Sequence, residues 1–333
     1  MLETVWFLLW GILWAVYFML GGFELGVGML APLLAHGKDE KQQLQSFIGP
    51  YWDGNQVWLI TAGGVTFAAF PVAYATLFSA FYTPLMFVLF ALIVRAVSIE
   101  FRDRRESASW QSLFDIGIFI GSFLPALLFG VAFANIFKGI PIDGEGVFRG
   151  NLLTLLNPYG LAGGLFFLAL FATHGALWAV YRSGSGLRDK AKRLSRLVWL
   201  PCALLAVVFL LLTAFYTRFW NNYSASPLLL IIPLLAVAAL LTMRYFMQKG
   251  LWGAALLSSF ALILFSVLFG VIGLYPDLLP STLDTRHSLS IHNAASSPLT
   301  LTIMLVVALI FVPVVILYQG WAYKLFLKGE RTP

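Results

Sequence analysis

Trp6-Phe7-Leu8-Leu9-Trp10-Gly11-Ile12-Leu13-Trp14-Ala15-Val16-Tyr17-Phe18-Met19-Leu20-Gly21-Gly22-Phe23-Glu24-Leu25-Gly26-Val27-Gly28-Met29-Leu30-Ala31-Pro32-Leu33-Leu34 is an apolar run with a single charge in it. About 20 such residues cross the hydrocarbon core of a bilayer as a helix, so the run predicts a membrane span. Glu24 is its anomaly. A carboxylate at membrane depth costs about 3 kcal/mol or more unless it is protonated, paired or hydrated, and such residues mark ion or proton routes.

The rest of the chain has the same character. Of 333 residues, 60% are hydrophobic, 16% aromatic and only 11% charged, whereas charged residues make up about a quarter of a soluble domain. That excludes a soluble enzyme and makes the net charge of +6 a matter of membrane sidedness rather than of nucleic-acid binding. The fold class read from the sequence is an all-α polytopic membrane protein with nine transmembrane helices, near 6–34, 52–72, 76–101, 114–138, 159–182, 197–217, 227–247, 251–275 and 299–327. The second and third are nearly fused around Pro71 to Tyr74.

Sidedness follows from the bases. With the N-terminus outside, Lys38, Lys41, Arg102, Arg104, Arg105, the run from Arg182 to Arg196, Arg244, Lys249, Lys324, Lys328 and Arg331 fall on the cytoplasmic side. Only Lys138, Arg149, Arg218 and Arg286 fall outside, and Arg95 lies within a span. This positive-inside bias predicts the N-terminus outside and the C-terminus cytoplasmic. The first base is Lys38, so no charged leader precedes the first apolar run, which is expected to remain as a helix. The expected organisation is a first helix group at 1–182 (helices 1–5, with the proton path in helices 1–4), a basic cytoplasmic loop at 183–196 and a second helix group at 197–333. Prolines 84, 125, 201, 233 and 313 predict an irregular bundle. Gly21-Gly22, Gly26-Val27-Gly28, Gly63-Gly64 and Gly163-Gly164 predict close helix approaches.

Five ionisable residues fall between the cytoplasm and the midplane. Glu24 lies about ten residues from the inner end of helix 1, at roughly 1.5 Å per residue. Asp53 starts helix 2, Glu100 ends helix 3, Arg95 lies deeper on the same helix, and Asp115 opens helix 4. Such a one-sided ladder is what proton uptake from the cytoplasm requires. Plainer readings exist: Asp53 and Asp115 as caps of helix N-termini, and Glu100 with Arg95 as a neutralising pair.

Redox centres find little support in this chain. Of four histidines only His174 lies within a span, too few for a bis-histidine haem site, while His36 borders the cytoplasm and His287 and His292 lie in the last outer loop. Lone Cys202 excludes an internal disulfide or a multi-cysteine metal site, and no metal is expected in this chain.

Gly22-Phe23-Glu24-Leu25-Gly26-Val27-Gly28-Met29-Leu30 resembles the GFDxGVGML signature of subunit II of the cytochrome bd quinol oxidases. Trp52-Asp53-Gly54-Asn55-Gln56-Val57-Trp58-Leu59-Ile60-Thr61-Ala62-Gly63-Gly64 is similar to that family's second-helix motif, and Asp115-Ile116-Gly117-Ile118-Phe119-Ile120-Gly121-Ser122 to its fourth. Asn157-Pro158-Tyr159-Gly160-Leu161, Asn293-Ala294-Ala295-Ser296-Ser297 and Trp321-Ala322-Tyr323 continue the resemblance along nearly the whole chain. The resemblance implies a heterodimer with a haem-bearing subunit I. That subunit carries haem b and haem d and oxidises membrane quinol, and subunit II ligates no catalytic haem. It further implies a structurally bound quinone in some members, allows a small accessory subunit, and implies the bacterial cytoplasmic membrane as location. Glu24, Asp53, Arg95 and Glu100 match family positions associated with a cytoplasmic proton path, to which the ladder adds Asp115. The chain departs from the family at Gly21, where many relatives have a second acid, at Tyr51, where some have His, and at Glu24 itself, where Asp is more usual. The alternatives are a purely structural membrane subunit or a proton-coupled secondary transporter, which should show inverted repeats.

Overall fold

The computed structural model describes residues 1–329; Arg331, used above for sidedness, and the end of the second helix group lie outside the described residues. The chain is built from helices α1 (Leu2–Leu34), α2 (Lys38–Ser46), α3 (Trp52–Ala69), α4 (Pro71–Ala80), α5 (Tyr82–Phe101), α6 (Ala108–Lys138), α7 (Leu152–Leu155), α8 (Pro158–Arg182), α9 (Ser185–Tyr216), α10 (Phe219–Ala225), α11 (Ile231–Lys249), α12 (Trp252–Leu274) and α13 (Pro298–Gly329). A short antiparallel pair, β1 (Asp277–Leu279) with β2 (Leu289–Ser290), folds the long loop between α12 and α13.

Among the described residues, eight helices are long and apolar enough to cross a membrane. The expected second span is not one of them by that measure. It is α3, 18 residues long and carrying Asp53, Asn55 and Gln56 in its first two turns, which dilute its apolar character. The near-fusion expected at Pro71 resolves into two breaks. Phe70 leaves helical geometry just before Pro71, and Phe81 does so again before α5. Proline at the first position of α4 needs no N–H partner there, and Ser296 N–H donates to the Ala69 carbonyl at the break, 2.8 Å away.

The segment 183–196, expected as a basic loop, is helical from Ser185 onward, because α9 extends just over three turns below the apolar run. Its basic turns dock on α2 through Lys190, 2.6 Å from Glu40. Asp115, expected to open its helix, sits two turns inside α6, which begins at Ala108.

α1 is the central element, packed against α3, α6, α8 and α12. Its glycines explain how. A Cβ on Gly26 would lie 1.9 Å from the Phe171 carbonyl oxygen, and one on Gly175 would lie 2.4 Å from the Gly26 backbone, so α1 and α8 cross in backbone contact. Gly130, Gly163 and Gly164 do the same for α6 and α8. Gly63 and Gly64 do not follow the expectation, since a Cβ on either meets nothing within 4 Å. By contrast α13 lies at the edge with most of its apolar surface exposed. Its N-terminal end is held by Trp6 Nε1–H donating to the Leu301 carbonyl at 3.0 Å.

Candidate functional site

Glu24 is fully buried, and so is Arg95. Arg95 Nη2 donates to Glu24 Oε2 at 2.9 Å, and Asn55 Nδ2 donates to Glu24 Oε1 at 2.5 Å. Three helices meet here: α1 supplies the acid, α5 the base and α3 the amide. Gly121 lets α6 close over Arg95, a Cβ there coming within 2.5 Å of the arginine's own Cβ. Two further polar atoms in this core, Arg95 Nε and Ser122 Oγ, are buried without a hydrogen-bond partner in the structure. Polar atoms of that kind ordinarily bind internal water.

The five residues expected to form one ladder divide into three places. Glu24 and Arg95 form the buried ion pair. Asp53 and Glu100 lie on the exposed flank of α3 and α5, where Asp53 accepts from the Gly54 N–H at 2.7 Å and Glu100 from the Trp52 indole at 3.2 Å. Asp53 is within electrostatic range of Glu24. Glu100 is thus not the partner of Arg95, which pairs with Glu24. Asp115 stands apart, bonded to Lys41 Nζ at 2.8 Å and to Arg102 Nε at 2.5 Å, with Asp103 completing the network on Arg102 Nη1 at 2.5 Å. This network borders a cavity of about 270 Å³ between α1, α2 and α6 that reaches Gly28, one turn below Glu24. Capping does not explain Asp115, whose side chain is used up by two cations.

Sequence reading missed the partners on the far side of Asn55. Gln319 and Tyr323 of α13 both donate to its Oδ1, at 2.9 and 2.8 Å. Their signal was available: Gln319 is the one amide in the sequence of α13, within its apolar stretch from Ile303 to Ala322. Two departures from the family also find their explanation. The space that a side chain at Gly21 would take is filled by the Tyr17 ring, 2.9 Å from a Cβ there. Tyr51 packs between Tyr323, Trp178 and Phe23.

His174 has both ring nitrogens engaged, Nε2 donating to the Met19 carbonyl at 2.9 Å and Nδ1 sharing a bond with the Ser259 hydroxyl at 2.7 Å. Neither is free to ligate iron. Among the described residues no group of three or more His, Cys, Asp or Glu converges to hold a metal ion.

Comparison with known proteins settles the family. The profile of cytochrome bd terminal oxidase subunit II matches residues 2–326. The chain belongs to that family. It is 35% identical to the cytochrome bd-I ubiquinol oxidase subunit 2 of Escherichia coli strain K12, covering 98% of this chain and 94% of that one. It is also 34% identical to a probable cytochrome oxidase subunit 2 of Haemophilus influenzae, over 97% and 93% of the two chains. The cytochrome bd ubiquinol oxidase subunit 2 of Bacillus subtilis is 32% identical over 98% and 96%. The fold matches a chain of the bd oxidase structure from Geobacillus thermodenitrificans with a TM-score of 0.79 over 98% of each chain, at 14% identity. As a subunit II, this multi-pass membrane protein is part of a terminal oxidase, an oxidoreductase complex that contains haem and requires a subunit I. These findings favour neither the transporter nor the purely structural reading.

Proposed function

We propose that this chain is the scaffold and proton-supply half of a quinol:oxygen oxidoreductase in the bacterial cytoplasmic membrane, with haem b and haem d carried by subunit I. The observation that carries the reading is Glu24, a fully buried carboxylate in a subunit of an oxidase. Reduction of dioxygen to water takes up a proton with each electron, so the buried oxygen site needs a supply route. Haem supplies the electron transfer and oxygen chemistry when bound. His174, with both nitrogens occupied, does not fit as its ligand in this chain.

In this reading Asp53 and Glu100 form the entrance, Arg95 holds Glu24 in place and sets its charge balance, and Glu24 is the protonatable relay. Asp115, with Lys41 and Arg102, guards a second cytoplasmic opening into the bundle. The entrance acids support the partner's position too. Asp53, Val57, Ile60, Gly64 and Phe67 share one exposed stripe of α3, and an acid facing lipid is costly, so subunit I covers this flank. A structural quinone ring does not fit the phenylalanine-lined cavity beside Phe18 and Phe133, about 30 Å³, whereas the cavity of about 270 Å³ at Gly28 and Ile116 has room for one.

We count α3 as a ninth crossing. At roughly 1.5 Å per residue its 18 residues span about 27 Å. Its first turn bonds with Glu100 at one end of the bundle and its last carbonyl with the outer loop at the other. The end joined by the Lys41–Asp115 and Lys190–Glu40 pairs carries most of the bases, which supports a cytoplasmic placement of that end, with the N-terminus outside. The division into 1–182 and 197–333 is kept, with 183–196 as the basic turns that join them.

The test is the Glu24→Gln variant of the whole oxidase complex. It is expected to assemble with an unchanged haem spectrum and to consume oxygen about tenfold or more slowly, since a positioned proton donor contributes about 10²-fold or more. Oxygen consumption at the wild-type rate removes Glu24 from the route.

A further inference from the structure

Asn55 is held by a hydrogen-bond chain that runs in one direction only. An indole N–H donates and never accepts, so Trp58 Nε1–H, 2.6 Å from Gln319, fixes that contact atom as the amide oxygen Oε1. Gln319 therefore presents Nε2 to Asn55, donating to Oδ1 at 2.9 Å, and the Tyr323 hydroxyl donates to the same oxygen at 2.8 Å. Asn55 is thereby left with its Nδ2 pointing inward, donating to the Leu20 carbonyl at 3.2 Å and to Glu24 Oε1 at 2.5 Å. A carbonyl only accepts, so the Leu20 contact fixes the same orientation independently.

We infer that Gln319 and Tyr323 of α13 are positioning residues for the oxidase reaction. By clasping Asn55 they aim an N–H at Glu24 Oε1 and make the seating of the last helix a condition for the relay carboxylate being held in place. Among the described residues, the other hydrogen bond joining α13 to another helix is that of Trp6 to the Leu301 carbonyl at its opposite end, which makes this clasp its anchor at depth. The chain also has a consequence for route. An amide passes no proton without leaving its amide form, so Asn55 steadies Glu24 but does not feed it.

The inference rests on Glu24 being the relay, and its test separates the two. In the purified oxidase complex, Glu24→Gln identifies the Glu24 carboxyl band in redox-induced infrared difference spectra by its loss. Tyr323→Phe keeps the ring packed on Tyr51 and drops only the hydroxyl, and Gln319→Met keeps the helix apolar and the volume similar. Each is expected to move that carboxyl band and to lower kcat about threefold or more, with the quinol KM and the haem spectrum unchanged, as when an interaction made only in the rate-limiting step is lost. Adding either to Asn55→Ala is expected to cost nothing further, because residues acting through one group are not additive. A slow Glu24→Gln with an unmoved band and full kcat in both α13 variants overturns the clasp and leaves the relay standing. Full turnover in Glu24→Gln overturns the relay itself.

Discussion

At the scale of residues, the strongest constraint is the Glu24–Arg95 pair. Both side chains are withdrawn from water, and removing one partner of such a pair strands a buried charge. Arg95→Leu is therefore expected to destabilise the complex by about 3 to 5 kcal/mol, and the double change with Glu24→Leu to recover most of that loss. Thermal unfolding of the two purified variants decides it, equal losses arguing that the pair is not coupled. Away from the spans, Asp284 offers a test of the loop between α12 and α13. Hydrogen bonds from the Arg286 guanidinium and backbone N–H hold its carboxyl down at about 2. A folded-state value below the ordinary 3.8 means that the stabilisation is present above that pH and lost as pH falls through about 2. Protection of the Arg286 amide, taken as its hydrogen-exchange rate relative to the intrinsic rate at each pH, should accordingly hold at pH about 4 and fall toward pH about 2, and Asp284→Asn should remove this change in protection.

At the scale of elements, apolar run length placed eight helices well, because length and hydropathy are local properties of the chain. What it could not place were the partners. Arg95 has Glu100 five residues away but chooses Glu24 from another helix, a choice made by which faces α1, α5 and α6 bring together. Asp115 looked like a helix opener because the apolar run begins near it, yet Ala108 to Phe114 are helical without being apolar throughout. Asn55 was visible in its motif, but its link to Gln319 joins residues 264 apart in sequence, which no local pattern encodes. Glycines show the same split. Gly26 sits at a backbone crossing, so Gly26→Val is expected to cost about 1 to 3 kcal/mol or more through overpacking and to lower the yield of folded subunit. Gly64 meets nothing within this chain, so Gly64→Trp is expected to leave the subunit folded while reducing recovery of subunit I with it. Undiminished recovery of subunit I would mean that the α3 flank faces lipid.

At the scale of the whole molecule, the chain is a bundle that places one buried carboxylate among three helices, puts two more acids on an exposed flank, and engages both nitrogens of its intramembrane histidine in hydrogen bonds. Those features belong together if the metal chemistry lies across the α3 flank and this subunit delivers protons to it. The sharpest measurement is proton uptake from the cytoplasmic face, followed with a pH indicator as the fully reduced complex reacts with dioxygen. In the Glu24→Gln complex, uptake is expected to lag the wild type by about tenfold or more, while the first oxidation of the haems keeps its wild-type rate. Proton uptake and haem oxidation that both match the wild type would contradict the account.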